Sequence, residues 1–341
     1  MRETVVLVTG ANGEIGHGLV DRLAERGDRV VALDLAPLDP RIAGKCHESI
    51  QGSILDRALM DRLVSGYEFH TIYHLAALLS TRAEFTPVAA HDVNVQGTLN
   101  LLSMAAEQTE WSGHRVKFMF PSSIAVYGLP DLATKAEAGP IREKTWNLPN
   151  TMYGCNKAYC EHLGRYFATH YKQLGANQGP AGVDFRALRY PGLISAFTVP
   201  SGGTSDFVPE MLHKVARGES YTCFVRPDTR IPFMAMPDAI RALVMLEEAE
   251  EDRLSWRSYN VTSFNPSAQE FLDELRKRWP TADVDFRVDD KRQAIVDSWP
   301  ADVSDDAARE DWAWEPLYDL GSALDDYLVP GIRGATPDGV S

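Results

Sequence analysis

The turn Thr9-Gly10-Ala11-Asn12-Gly13-Glu14-Ile15-Gly16 stands directly between an apolar run at residues 5–8 and an amphipathic stretch at residues 15–25. In that setting the letters carry mechanical meaning. Gly10 permits a tight turn, Gly13 lets a backbone come close to a pyrophosphate, and Gly16 lets helix and strand pack together. The helix N-terminus then faces the anion with its unbonded N–H groups. The next apolar run ends Val31-Ala32-Leu33-Asp34, which puts a carboxylate where it can accept hydrogen bonds from an adenosine ribose and repel a 2′-phosphate. These residues predict an NAD site rather than an NADP site.

The alternation continues. Residues 30–33, 71–75, 116–120 and 185–189 read as strands, and residues 56–64, 87–107 and 152–171 as helices. This repeated strand-helix order predicts an α/β fold of Rossmann type, a doubly wound parallel sheet, followed by a smaller C-terminal substrate-binding domain. The expected division is 1–190 for the NAD-binding domain with 231–260 returning to it, 191–230 and 261–330 for the substrate domain, and 331–341 as a loose tail. Two segments, 129–148 and 173–182, read as insertions, the first a possible lid.

Composition excludes other classes. Lys plus Arg number 34 against 48 Asp plus Glu, so a net charge of −14 disfavours nucleic acid and anionic membranes as partners. No apolar run approaches the ~20 residues of a membrane span, and no charged-then-apolar leader precedes the first strand. Cys46, Cys155, Cys160 and Cys223 form no Cys-x-x-Cys pair, so neither a zinc site nor a disulfide scaffold is expected, and a reducing cytoplasm fits.

Tyr153 and Lys157 lie four residues apart in an expected helix and therefore project from one face. Ser123 follows an apolar run and falls at the carboxyl end of a strand, where doubly wound sheets bind ligands. A phenol of pKa ~10 acting as a base near neutrality needs about 4 kcal/mol of phenolate stabilisation. One ammonium at ~4 Å in an effective dielectric of ~20 supplies that amount. Ser123, Tyr153 and Lys157 are thus the candidate catalytic set.

Taken together, TGANGEIG, Asp34, His74-Leu75-Ala76-Ala77, Asn94, PSSIAVYG and YGCNK resemble the extended short-chain dehydrogenase/reductase superfamily, from residue 4 to about 250. The resemblance implies Ser123 as the catalytic serine, Tyr153 as acid/base, Lys157 as its partner and a ribose ligand, and Asn94 as an active-site asparagine. It also implies that Ser53, Ile54, Leu75, Ala76, Ala77, Tyr190 and Pro191 join Asn12, Glu14 and Ile15 around the cofactor. One departure is Gly52-Ser53-Ile54, which stands where many relatives carry an aspartate facing the adenine.

Four later segments, LRYPGLIS, SGGTSD, DTRIPFMAMPDAIRA and DSWP, resemble the short-chain-type L-threonine 3-dehydrogenases in order. That resemblance implies oxidation of a β-hydroxyl with Ser80, Ser123, Tyr153, Gly192, Thr204, Ser205 and Trp299 near the substrate, and a homodimer. Ala235 and Ser205 depart from the family pattern. Trp299 reads equally as a buried anchor, and Ser201-Gly202-Gly203-Thr204 as an ordinary loop. Arg230 suits either a phosphate or an ion pair within the domain, which keeps a nucleotide-sugar epimerase or dehydratase with retained NAD as an alternative. A non-catalytic NAD-sensing protein on the same fold is a further alternative. His74 reads as structural.

Overall fold

Strand order follows from which runs are apolar throughout. The computed structural model describes residues 3–175, 182–198 and 203–335. Its strands are β1 (Glu3–Thr9), β2 (Val30–Asp34), β3 (Glu48–Gln51), β4 (Tyr67–His74), β5 (Lys117–Ser123), β6 (Asp184–Tyr190), β7 (Gly192–Ile194), β8 (Tyr221–Cys223), β9 (Phe233–Ala235), β10 (Ser258–Asn260) and β11 (Val284–Phe286). Seven of them form one sheet in the order β10-β6-β5-β4-β1-β2-β3, and the pairings from β3 through β5 are parallel. The winding reverses between β1 and β4, so the carboxyl ends of these two strands frame a ligand crevice.

Helices cover the sheet because their apolar positions recur on one side. In Glu14–Arg26 the buried residues are Gly16, Leu19, Val20 and Leu23, and the helix stops at Gly27 in the left-handed region (φ 89°), whose N–H reaches back to Leu23 and Ala24. The core beneath Met152–Thr169 is aromatic. Phe118 and Phe185 stack at 6.0 Å between centroids, and a Cβ on Gly164 would lie 2.2 Å from the Phe185 ring. Each such phenylalanine contributes on the order of 2 kcal/mol by burial. Within β6, Arg186 pairs with Asp184 and donates to the carbonyls of Leu246, Glu247 and Ala249, closing the helix Met236–Glu248. Among the described residues no helix is long and apolar enough to cross a membrane.

The chain divides into two compact units, one comprising Met1–Ser123, Met152–Arg189 and Ile240–Tyr259, the other Ile124–Thr151, Tyr190–Ala239 and Asn260–Ser341. The return to the first unit thus begins at Ile240 rather than 231, because β9 pairs with β7 in a separate two-stranded sheet. Residues 331–335 are not loose, since they continue the helix Val329–Ala335 with Ile332 buried, whereas 336–341 lie outside the described residues.

The insertion at 129–148 is stitched down within the second unit. Leu129 N–H donates to Ser298, Ile141 exchanges backbone bonds with Asp302 and Ser304, and Lys135 Nζ donates to the Val296 carbonyl at 3.0 Å. Asn260 donates to Ile141 and Ser304 while accepting the Tyr127 hydroxyl at 2.6 Å. These bonds argue against a free lid. Of the insertion at 173–182, residues 176–181 lie outside the described residues.

Candidate active site

At the carboxyl end of β1, Gly10 has φ 68°, and a Cβ there would lie 2.6 Å from the Ala76 nitrogen and 2.7 Å from its Cα. Only glycine lets the turn lie against Leu75 and Ala76, where Leu75 N–H bonds Thr9 at 3.0 Å. A Cβ on Gly16 would lie 2.4 Å from the Ala11 carbonyl oxygen. The helix begins at Glu14 and Ile15 behind Gly13, a cap residue with no side chain, which puts the positive end of the helix dipole at the turn. The Asp34 carboxylate is fixed by the N–H groups of Asn12 (2.9 Å) and Ala36 (3.1 Å). Asn12 in turn accepts from Asp39 N–H at 2.8 Å and donates to the Pro37 carbonyl at 3.0 Å. A glycine cradle, a helix N-terminus and an anchored carboxylate fit the pyrophosphate and ribose of a dinucleotide.

Ser53 and Ile54 follow β3. The Ser53 hydroxyl accepts Leu55 N–H at 3.2 Å, and the buried Ile54 side chain occupies the space opposite Gly97, where a Cβ would come within 2.3 Å of it. Ile54 therefore serves the core with its side chain, and its carbonyl accepts Asn100 at 3.1 Å. Ala77 is half-buried in the loop that leads to Ser80, the first residue of the helix Ser80–Phe85.

The reactive groups form a helix-to-strand zipper within the first unit. Tyr153, Lys157 and Glu161 step along one face of Met152–Thr169 and meet the end of β5 in turn. Tyr153 shares a hydrogen bond with Ser123, while burial pushes its phenol above the ordinary value. Lys157 Nζ donates to the Pro121 carbonyl at 2.5 Å and lies 4.4 Å from the Phe120 ring centroid and 5.6 Å from that of Tyr153. Burial lowers its pKa to about 8, against the opposing pull of Cys160 and Glu161. Glu161 accepts the Ser122 hydroxyl and a bidentate pair from Arg189 of β6, Nη2 at 2.6 Å and Nε at 2.9 Å.

Glu84, Asn156, Thr98 and the π-helical form of residues 92–96 escaped sequence reasoning. The expected helix at 87–107 is Pro87–His91 and Gly97–Ser112 with a π-helical segment, Asp92–Gln96, between them. Such segments mark functional positions in helices. This one carries Asn94, whose side chain clamps Leu78 by both backbone groups (2.8 and 3.0 Å) and donates to Asn156 at 3.2 Å. His74 sits between two hydroxyls, Thr9 on Nδ1 (2.8 Å) and Thr98 on Nε2 (2.9 Å). Thr98 spends its proton on the Asn94 carbonyl, so Nε2 carries the imidazole hydrogen. Burial lowers the His74 pKa to about 3 and keeps it neutral. Glu84 accepts Met152 N–H at 2.7 Å and puts a negative charge at the start of the helix bearing Tyr153.

The second unit holds the remaining sequence candidates. The Tyr190 hydroxyl donates to the Ala239 carbonyl at 2.6 Å, and Pro191 is buried. A Cβ on Gly192 would fall 2.5 Å from the Phe233 ring, so packing demands this glycine. Arg230 pairs with Glu270 at 2.7 Å and donates to the Asn265 carbonyl. Thr204 is buried and Ser205 half-buried, while Ser201 and Gly202 lie outside the described residues. Trp299 is 3% exposed, and its indole Nε1 has no hydrogen-bond partner.

The model of the NAD dependent epimerase/dehydratase family matches residues 6–262. The mitochondrial L-threonine 3-dehydrogenase of Bos taurus is 34% identical over 317 residues, 92% of this chain and 79% of that one. A solved partial consensus L-threonine 3-dehydrogenase is 35% identical with a TM-score of 0.85, covering 96% of this chain and 99% of that one. A monomeric L-threonine 3-dehydrogenase from a metagenome, in its apo form, is 33% identical with a TM-score of 0.83, covering 97% of this chain and 100% of that one.

Proposed function

Because this chain belongs to the NAD-dependent epimerase/dehydratase family and is an NAD-dependent oxidoreductase, we propose that it oxidises the β-hydroxyl of L-threonine, or of a related small β-hydroxy acid, with Tyr153 as base. The observation that carries this reading is the meeting of half-buried Tyr153 and Ser123 with buried Lys157 at the end of β5. NAD, when bound in the glycine cradle, supplies the hydride acceptor. Ser123 and Tyr153 hold the substrate oxygen, and the Tyr153 phenolate, stabilised by Lys157, takes the hydroxyl proton at Oη and becomes the neutral phenol. The ketone formed from threonine is 2-amino-3-oxobutanoate.

The Trp299 N–H, buried without an acceptor, is a ready donor for a substrate carboxylate. We assign Ser80, Thr204 and Ser205 to substrate binding on the resemblance of their segments. Arg230 does not support the nucleotide-sugar alternative, because Glu270 already neutralises its guanidinium. A purely sensing protein has no need for a phenol beside a buried ammonium at this point. Exposed Phe85 and Val88 on the helices beside Met152–Thr169 support self-association as a homodimer, which light scattering of the purified protein tests. Four free cysteines support work in a reducing cytoplasm.

Purified protein with NAD+ and L-threonine is expected to accumulate NADH. Interconversion of UDP-sugars without net NADH would overturn the reading in favour of an epimerase.

A further inference from the structure

Lys157 is a buried ammonium with an unusual set of neighbours. Its Nζ bonds a carbonyl oxygen and faces two rings, and among the described residues no carboxylate lies within ion-pair distance of it. The charged and titratable groups around it are Tyr153, Cys160 and Glu161 on its own helix, His74 on β4, and Arg189 on β6 behind Glu161. His74 is neutral, as its hydrogen bonds require. Glu161, one helical turn beyond Lys157, is therefore the negative group closest along that face.

Glu161 itself is immobile. It is about as buried as Lys157, and Arg189 together with the Ser122 hydroxyl occupies its oxygens. Those two partners come from adjacent strands, β6 and β5, so the carboxylate sets both the height and the rotation of the helix against the sheet. Ser122 is the direct neighbour of Ser123, and Pro121, which receives Lys157, precedes it.

We propose that Glu161, locked by Arg189 and Ser122, is a positioning residue for the reaction: it fixes Lys157 against Pro121 and provides the counter-charge that keeps the ammonium protonated beside Tyr153. This rests on the proposed roles of Tyr153 and Lys157. The direction of the Lys157 titration agrees, since Glu161 opposes the fall that burial imposes.

The test is the pH profile of L-threonine oxidation in Glu161→Gln and in the double variant Glu161→Met with Arg189→Met. Without the carboxylate Lys157 loses its proton earlier, so the alkaline limb of kcat moves toward acid by about one pH unit in Glu161→Gln, a roughly tenfold loss at pH 9 that shrinks at pH 7. The double variant, which leaves no buried charge unpaired, shifts less but in the same direction. A uniform fall at every pH in both variants overturns the proposal and leaves Glu161 a fold residue. Titration of 13C,15N-labelled lysine by NMR, without substrate, reads the Lys157 pKa directly. If the wild type does not oxidise L-threonine, the reaction assigned above fails, while the NMR titration still decides on Glu161. An unchanged Lys157 titration in both variants overturns the counter-charge.

Discussion

Replacing Lys157 by methionine separates the charge of this side chain from its bulk. The Nζ lies 5.6 Å from the Tyr153 ring centroid. At that separation and an effective dielectric of ~20, a unit positive charge stabilises a phenolate by about 3 kcal/mol, or about two pH units. Methionine keeps the stem's volume and leaves the Pro121 carbonyl without its donor, at a cost of ~1 kcal/mol. Against that, the folded-state pKa of Lys157 lies at about 8, below its unfolded value of 10.5. The expense of burying the ammonium is therefore fully present below pH 8 and fades as pH rises toward 10.5. Its removal offsets the lost hydrogen bond, and the variant should be at least as stable as wild type at pH 7 in urea titrations. Initial rates of NADH formation between pH 6 and 10 should show the acidic limb displaced upward by about two units, with roughly a hundredfold loss near pH 7 that narrows as pH climbs. An equal loss at every pH, in a protein of unchanged stability, would refute the electrostatic role.

Tyr153→Phe should reduce threonine oxidation to background while NAD binding, followed by tryptophan quenching, stays nearly intact, because the hydroxyl bonds Ser123 rather than the glycine cradle. Gly10→Ala forces a left-handed residue at about 1–2 kcal/mol and drives a methyl into Ala76, so both Tm and NAD affinity should fall. His74 is held at about 3 against 6.5 unfolded, so its unfolded form takes up a proton first, and stability falls as pH is lowered through that window. His74→Phe should flatten that decline in urea titrations from pH 7.5 to 4.5, while costing about 1–3 kcal/mol at pH 7, because the Thr9 hydroxyl loses its acceptor whereas Thr98 keeps the Asn94 carbonyl.

The alternating apolar runs made β1, β2 and β4 visible before any coordinates, because their residues are buried on both faces and need no partner to be recognised. β3 gave no such signal: Glu48-Ser49-Ile50-Gln51 is a mostly exposed edge strand whose existence depends on β2 beside it. The π-helical segment at Asn94 was likewise invisible, since its sequence is helical and the extra residue in the turn is stabilised by Leu78 and Asn156 from elsewhere in the chain, with Thr98 one turn on bonding the Asn94 carbonyl. Tyr153 and Lys157 could be paired from helical spacing, and Ser123 from its place at a strand end. Glu161 and Arg189, 28 residues apart, come together only when β6 lies next to β5. Arg230 had two readings and Gly192 one, a place near the substrate, and only the positions of Glu270 and Phe233 decide what they touch.

Each compact unit is threaded from three separate stretches of chain. Neither can be lifted out by one cut or exchanged between relatives by one genetic crossover, because any contiguous segment long enough to carry one unit brings parts of the other. New substrate ranges in such a chain must therefore arise through point changes within a unit, or through growth of a loop between fixed anchors, rather than by swapping modules. Chimaeras that join two relatives at a single junction near residue 190 should misfold far more often than those exchanging residues 124–151 and 190–239 together with the segment after 259.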